Sequence, residues 1–219
     1  MYCKIPGCDQ KGSRYGRLCN SHKSRQRRHG HPLQKGVTKQ ELKPYIELVR
    51  KRFQANPDSN AMAETEKRWF DLIRQCQSVV VSYYQGHPSQ RNRREASQEL
   101  IKIAEEVSTV DVIETVLAMY LLADSDPRRF RSDEAFLYQV VRRVRALTEV
   151  NVGRWYDYKT QRNKRVYRDL TPKTTQQMGT MLISTLGVAG LCMARLEQAT
   201  SASSKAAEAD YYETLASLH

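Results

Sequence analysis

Residues 1–32 read MYCKIPGCDQKGSRYGRLCNSHKSRQRRHGHP, and four soft donors in this stretch, Cys3, Cys8, Cys19 and His22, decide how the chain begins to fold. Four residues separate the first two cysteines, ten separate the second from the third, and two separate Cys19 from His22. Three thiolates and one imidazole in so short a span form the donor set of a closed tetrahedral zinc site. A segment this short and polar cannot bury a core of its own. The metal would supply its folding free energy, about 10–16 kcal/mol in zinc-finger peptides. Four protein ligands leave no position for a catalytic water, so the expected cofactor is one structural Zn2+. His29 and His31 compete with His22 for the fourth position; the i, i+3 spacing of Cys19 and His22 on one helical turn favours His22.

The charge of the chain concentrates around those donors. The 219 residues carry 36 Lys or Arg against 24 Asp or Glu, a net +12. Residues 1–36 hold nine of the bases and a single acid, Asp9, for +8, while the remaining 183 residues contribute only +4. Such concentration favours a polyanion partner. A helix is expected from Cys19 to about His29, stopped by Gly30 with Pro32 beyond. Arg25, Arg27 and Arg28 on it are placed to reach phosphates or to read guanine edges in a major groove, and Lys23 to meet a phosphate. Arg14 and Arg17, on the knuckle side, are further candidates. The competing reading is a solvated basic face.

Working outward, the rest of the chain reads as helices. Gly36 opens a boundary, and Thr38-x-x-Glu41 is a capping-box pattern. Apolar residues at helical spacing then predict helices to about Ala55, over 59–84, 94–107 and 110–123, and over 133–147. The fourth of these five, rich in Val, Ile and Leu, is expected at the centre. Arg142, Arg143 and Arg145 are expected to face outward. Cys76 and Cys192 read as buried small hydrophobes, and Glu105, Glu106, Asp111 and Glu114 as caps and exposed faces. Residues 151–170 change character, and their aromatic and β-branched residues predict a short β-hairpin near 154–169, with Gln161-Arg162-Asn163 turning and the tip at Arg162 to Lys164. Thr171 caps a final helix to about Gln198. Gly179, Gly187 and Gly190 interrupt it at roughly 1 kcal/mol each against alanine, a cost that close packing on another helix would offset. The fold class is therefore mainly α. A small zinc finger (1–36) is followed by a multi-helix domain (37–198) and a weakly ordered C-terminal segment (199–219).

The run Tyr2-Cys3, Gly7-Cys8, Tyr15-Gly16-Arg17-Leu18-Cys19-x-x-His22, Arg25 and Gly30-x-Pro32 resembles the treble-clef-like zinc fingers of phage and other mobile-element proteins. The resemblance covers about the first 32 residues. It implies a DNA-binding module, and it raises a nuclease of the HNH kind. The further His and Asn residues such a site needs are not there, since only His29, His31, His87 and His219 follow His22.

The function expected from the sequence is zinc-dependent binding of nucleic acid. Double-stranded DNA is preferred over RNA, in a regulator or accessory factor of a phage, plasmid or similar bacterial element. A second basic segment, Arg154 to Arg168, carries six bases against Asp157. Arg154, Lys159, Arg162, Lys164 and Arg165 would act as a wing on a nucleic-acid backbone, and Trp155 and Tyr158 would stack on bases. Two other readings stand beside it: an RNA-binding ribonucleoprotein component, and a protein-interaction adaptor or inhibitor with a purely structural zinc knuckle. No Ser/His/Asp set, phosphate-binding glycine loop or paired acids argue for an enzyme. The helical body is a candidate surface for a homodimer or a protein partner. No run of eighteen apolar residues suggests a membrane span, no apolar leader opens the chain, and grouped cysteines suit a reducing, cytoplasmic setting.

Overall fold

The computed structural model describes residues 2–14, 16–57, 59–148, 152–167 and 169–217, with the backbone alone for 152–155, 164–167 and 204–217. The protein is mainly α: seven helices hold 69% of it, and a two-stranded antiparallel hairpin is its one sheet among the described residues. In order come α1 (Asn20–His29), α2 (Lys39–Ala55), α3 (Ala61–Tyr84), α4 (Arg91–Glu106), α5 (Thr109–Ser125), α6 (Asp133–Arg145), β1 (Val152–Asp157), β2 (Arg162–Tyr167) and α7 (Pro172–Ser217).

The centre is α5, as its apolar run predicts. Every residue from Val112 to Leu122 is buried. It packs against α7 and α2 above all, and against α6 and α3, while α4 joins α3 to α7. Trp69, Leu100, Ile103, Leu117, Met178, Leu182 and Leu186 are among the largest fully buried side chains of this core. The capping box is formed: Glu41 N–H donates to Thr38 Oγ1 and Thr38 N–H to Glu41 Oε2. Ser132 caps α6 through Ala135 N–H, and Thr171 caps α7 through Thr174 N–H.

The three glycines of α7 are packing sites. A Cβ at Gly179 would overlap Leu137 of α6, and Cβ atoms at Gly187 and Gly190 would overlap Tyr120 of α5. Over Pro172–Ser203, α7 is long and apolar enough to cross a membrane by length and composition alone. Met178, Leu182 and Leu186 of this span are buried in the body, and Val188, Leu191 and Leu196 are exposed. The helix continues past the expected end near Gln198 because the alanine-rich stretch that follows holds no Gly or Pro to stop it.

Four further local expectations fail. The hairpin turns at 158–161, with Asn163 paired to Tyr156 and Lys164 to Trp155, so the tip is not Arg162 to Lys164. Asp157 sets this turn: its carboxylate accepts from Lys159 N–H and Thr160 Oγ1–H, an Asx-type closure. Arg145 turns inward to Glu99, Nε to Oε1 at 2.6 Å. Glu114, expected on an exposed face, is buried and meets Arg50 at 2.7 Å. Cys76 is buried as expected, but Cys192 is exposed.

Candidate metal centre and basic helix

Backbone geometry brings the four donors together. Pro6-Gly7 is a tight turn, closed by Cys8 N–H to Ile5 C=O at 3.1 Å. Gly7 sits at φ +73°, the left-handed region that only glycine enters freely. Cys3 N–H bonds Gln10 C=O at 2.9 Å and Tyr2 pairs with Lys11, so the first arm folds back on itself. A second arm closes through Ser13 N–H to Leu18 C=O and Lys4 N–H to Arg17 C=O. Cys19 is then the N-cap of α1, which puts His22 one turn along the same face.

The four ligand atoms lie within 4.8 Å of one another. Cys8 Sγ is 3.9 Å from Cys19 Sγ, and His22 Nδ1 is 3.2 Å from Cys19 Sγ and 3.5 Å from Cys3 Sγ. A tetrahedral ion with bonds of about 2.3 Å to sulfur and about 2.0 Å to nitrogen has edges of about 3.8 Å between sulfurs and about 3.5 Å between sulfur and nitrogen. The observed edges fit a four-coordinate metal. Cys19 N–H points at Cys3 Sγ from 3.3 Å, a donor that orients the ligand from outside the shell.

The thiols respond to this crowding. Burial raises Cys3, but N–H donors of Ile5 and Cys19, with His22 and Cys8, bring it down to about 6. The N–H of Gln10 pulls Cys8 down, yet burial and the sulfurs of Cys3 and Cys19 leave it raised. Neighbouring thiolates repel, and a divalent cation relieves that repulsion.

The competing histidines are engaged elsewhere. His29 Nδ1 accepts from Gln139 Nε2 at 3.0 Å, and His31 Nδ1 accepts from Leu33 N–H at 3.2 Å. Gln139, 1% exposed, also accepts from Val37 N–H through Oε1 at 2.9 Å. Burial, then the charges of Arg142, Arg25 and Arg28, lowers His29 from 6.5 to about 4. Gln139 thus ties the end of α1 to α6 and to the strap before α2. Gln34 strengthens the strap by accepting from Arg131 N–H, and Arg129 by binding Glu41 and the carbonyls of Lys35 and Gly36. Gly30 ends α1 in the left-handed region, φ +77°, and a Cβ there would stand 2.9 Å from the Glu134 carbonyl oxygen of α6.

The basic residues fall into three groups. Lys23, Arg25, Arg27 and Arg28 lie exposed on α1, Arg28 with its Nε 3.3 Å from Asp169 Oδ2. Arg14 and Arg17 are exposed on the second arm. Lys159 in the hairpin turn and Arg162 at the start of β2 are exposed beside the edge-to-face pair of Tyr156 and Tyr158. The side chains of Arg154, Trp155, Lys164 and Arg165, and all of Arg168, lie outside the described residues. The structure brings the metal donors together with the first group. Sequence reading missed Gln139 and Asp169, whose signal is a fold-dependent approach that no local spacing carries. Comparison with protein-family models, curated proteins and solved structures gives no match.

Proposed function

We propose that this protein binds nucleic acid, double-stranded DNA in preference to RNA, through α1, and that Cys3, Cys8, Cys19 and His22 hold one structural Zn2+. A closed set of three thiolates and one imidazole suits zinc best among common metals. The observation that carries the reading is α1 itself. It bears Lys23, Arg25, Arg27 and Arg28, has no acidic residue, and buries none of its side chains fully. Packing therefore does not explain its composition, whereas release of counterions from a phosphate backbone gives such a helix a favourable partner. The likeness of residues 1–32 to mobile-element fingers supports a regulator or accessory factor of such an element.

The test is the salt dependence of binding to a labelled mixed-sequence duplex, for the wild type and for the triple change Arg25→Ala, Arg27→Ala, Arg28→Ala. The slope of log affinity against log salt should become shallower by about 0.9 for each phosphate no longer neutralised. An unchanged slope rejects α1 as the grip. One observation favours a second reading: Tyr158 is 84% exposed and stands edge-to-face with Tyr156 beside Lys159 and Arg162. Exposed aromatics next to bases suit stacking on single-stranded RNA. Tighter binding to single-stranded RNA than to duplex, abolished by Tyr158→Ala, would select that reading.

A further inference from the structure

The last turn of α1 faces α6 across a narrow cleft lined by Arg27 and Arg28 of α1 and Arg142 and Arg145 of α6, together with Asp169 and Thr175. Arg145 is matched by Glu99. Two of the others, Arg28 and Arg142, share one carboxylate, that of Asp169. Arg28 Nε is 3.3 Å from its Oδ2, and Arg142 Nη1 is 3.9 Å from its Oδ1. These are single, long contacts, unlike the paired fork that Arg makes with a well-placed oxyanion. The groups are reachable, since the side chains of Arg28, Arg142 and Asp169 are 59%, 42% and 39% exposed.

The size of the cleft restricts what can enter. It has about 30 Å³ of free volume, against roughly 300–1,000 Å³ for a pocket that engulfs a small molecule. A base or a nucleoside does not fit. The oxygens of a phosphate presented from outside do. Burial lowers the proton affinity of Arg142, Asp169 restores part of it, and Arg28 and Arg145 lower it again.

We propose that this cleft takes one backbone phosphate of the bound nucleic acid, and that Asp169 is its internal occupant, which the phosphate displaces. The inference rests on the nucleic-acid reading above and adds Arg142 of the helical body to the contacts of α1. A phosphate offers more acceptor oxygens than the carboxylate and can meet the planar forks of Arg28 and Arg142 together. Asp169 then damps affinity for any polyanion, because each binding event first breaks its two contacts.

The experiment measures binding of the zinc-loaded full chain to a labelled mixed-sequence duplex over a range of salt. The proteins compared are the wild type, Asp169→Asn, Arg142→Gln and Arg142→Lys, each checked for helical content. Asp169→Asn should bind several-fold tighter at low salt. Arg142→Gln should weaken binding and flatten the salt slope by about 0.9, and Arg142→Lys should retain the slope. If the wild type binds duplex but Asp169→Asn and Arg142→Gln match it, the cleft proposal falls and α1 stands as the grip alone. Weaker binding by Asp169→Asn would make Asp169 a structural anchor and also overturn the proposal. If no protein binds duplex, the nucleic-acid reading fails, and the cleft proposal with it.

Discussion

Gly190 and Gly187 sit one turn apart on α7 against the same ring, yet they should respond differently to the same pair of substitutions. Alanine in place of a mid-helix glycine gains about 1 kcal/mol of helix propensity where space is free. At Gly190 the new Cβ would stand 2.6 Å from Tyr120 Cγ and closer still to Cδ2, where carbon atoms prefer about 3.5–4.0 Å. The root of the ring cannot swing aside, because Tyr120 is locked edge-to-face on Phe136 at 5.1 Å. Overpacking of this kind costs about 1–3 kcal/mol, and an overlap this deep belongs at the upper end, so Gly190→Ala should destabilise by about 2 kcal/mol net. At Gly187 the first obstacle is the Tyr120 hydroxyl oxygen at 2.6 Å, and the next contacts, Ile183 Cγ2 at 3.4 Å and Tyr120 Cζ at 3.5 Å, are ordinary. Tyr120→Phe removes that oxygen. With Tyr120→Phe already in place, Gly187→Ala should therefore stabilise by up to about 1 kcal/mol, while Gly190→Ala remains costly. The assay is urea unfolding followed by far-ultraviolet circular dichroism, analysed as two double-mutant cycles with a common m-value. The cycle of Gly187→Ala with Tyr120→Phe should show coupling of about 1–2 kcal/mol, and that of Gly190→Ala with Tyr120→Phe close to zero. Rescue of both alanines by Tyr120→Phe, or stabilisation by Gly190→Ala alone, would refute the close approach of α5 and α7.

The metal centre and its competing histidines give two more expectations. Metal analysis should find about one zinc per chain, retained by His29→Ala and His31→Ala and absent from Cys19→Ser or His22→Ala; retention by His22→Ala would exclude it as the fourth ligand. Acid should destabilise the protein through His29. Its folded value is about 4 against an ordinary 6.5, so between these limits the unfolded chain binds a proton that the folded one refuses. The contribution is present in full above pH 6.5, declines as pH falls, and is gone below about 4. A shift of this size corresponds to at most about 3 kcal/mol, and to about half that once solvent screening of the half-buried ring is allowed for. His29→Gln should flatten this part of the stability-against-pH curve, and an unchanged curve would show that the ring titrates normally.

What the sequence made legible is what a single element carries by itself. The spacing of Cys19 and His22 places both on one turn, and the unbroken apolar run of α5 announces burial on every side. The glycines of α7 announce a neighbour without naming it. Burial of Glu114 and Arg145 was not legible, because a charge on a helix face reads as solvated until the partner helix supplies Arg50 or Glu99. The hairpin was legible through its β-forming residues, but its turn was not. Gln161-Arg162-Asn163 offers generic turn chemistry, whereas Asp157 closes an earlier turn, at 158–161, through Lys159 and Thr160. His29 could pass for a metal ligand by type and distance along the chain. Only the fold brings Gln139, 110 residues away, against its ring.

The same contacts explain how α1 is held. Ten residues with no buried side chain are too few to be stable as a helix alone in water. Its order has to come from its two ends. At the start, Cys19 and His22 would share a metal with Cys3 and Cys8; at the finish, Gly30 packs on Glu134 and His29 accepts from Gln139. Removing the metal frees the first end only. The helix should then fray from Asn20 toward Arg28 while α2 to α7, which bury the core, keep their form. Since α1 supplies 10 residues against 46 in α7 alone, the drop in helical signal on chelation should be under about a tenth. Lys23 and Arg25 lie nearest the freed end, and Arg27 and Arg28 nearest the tethered one. Chelation should therefore disorder the first pair before the second, and any polyanion grip that needs all four should depend on metal more steeply than the fold does.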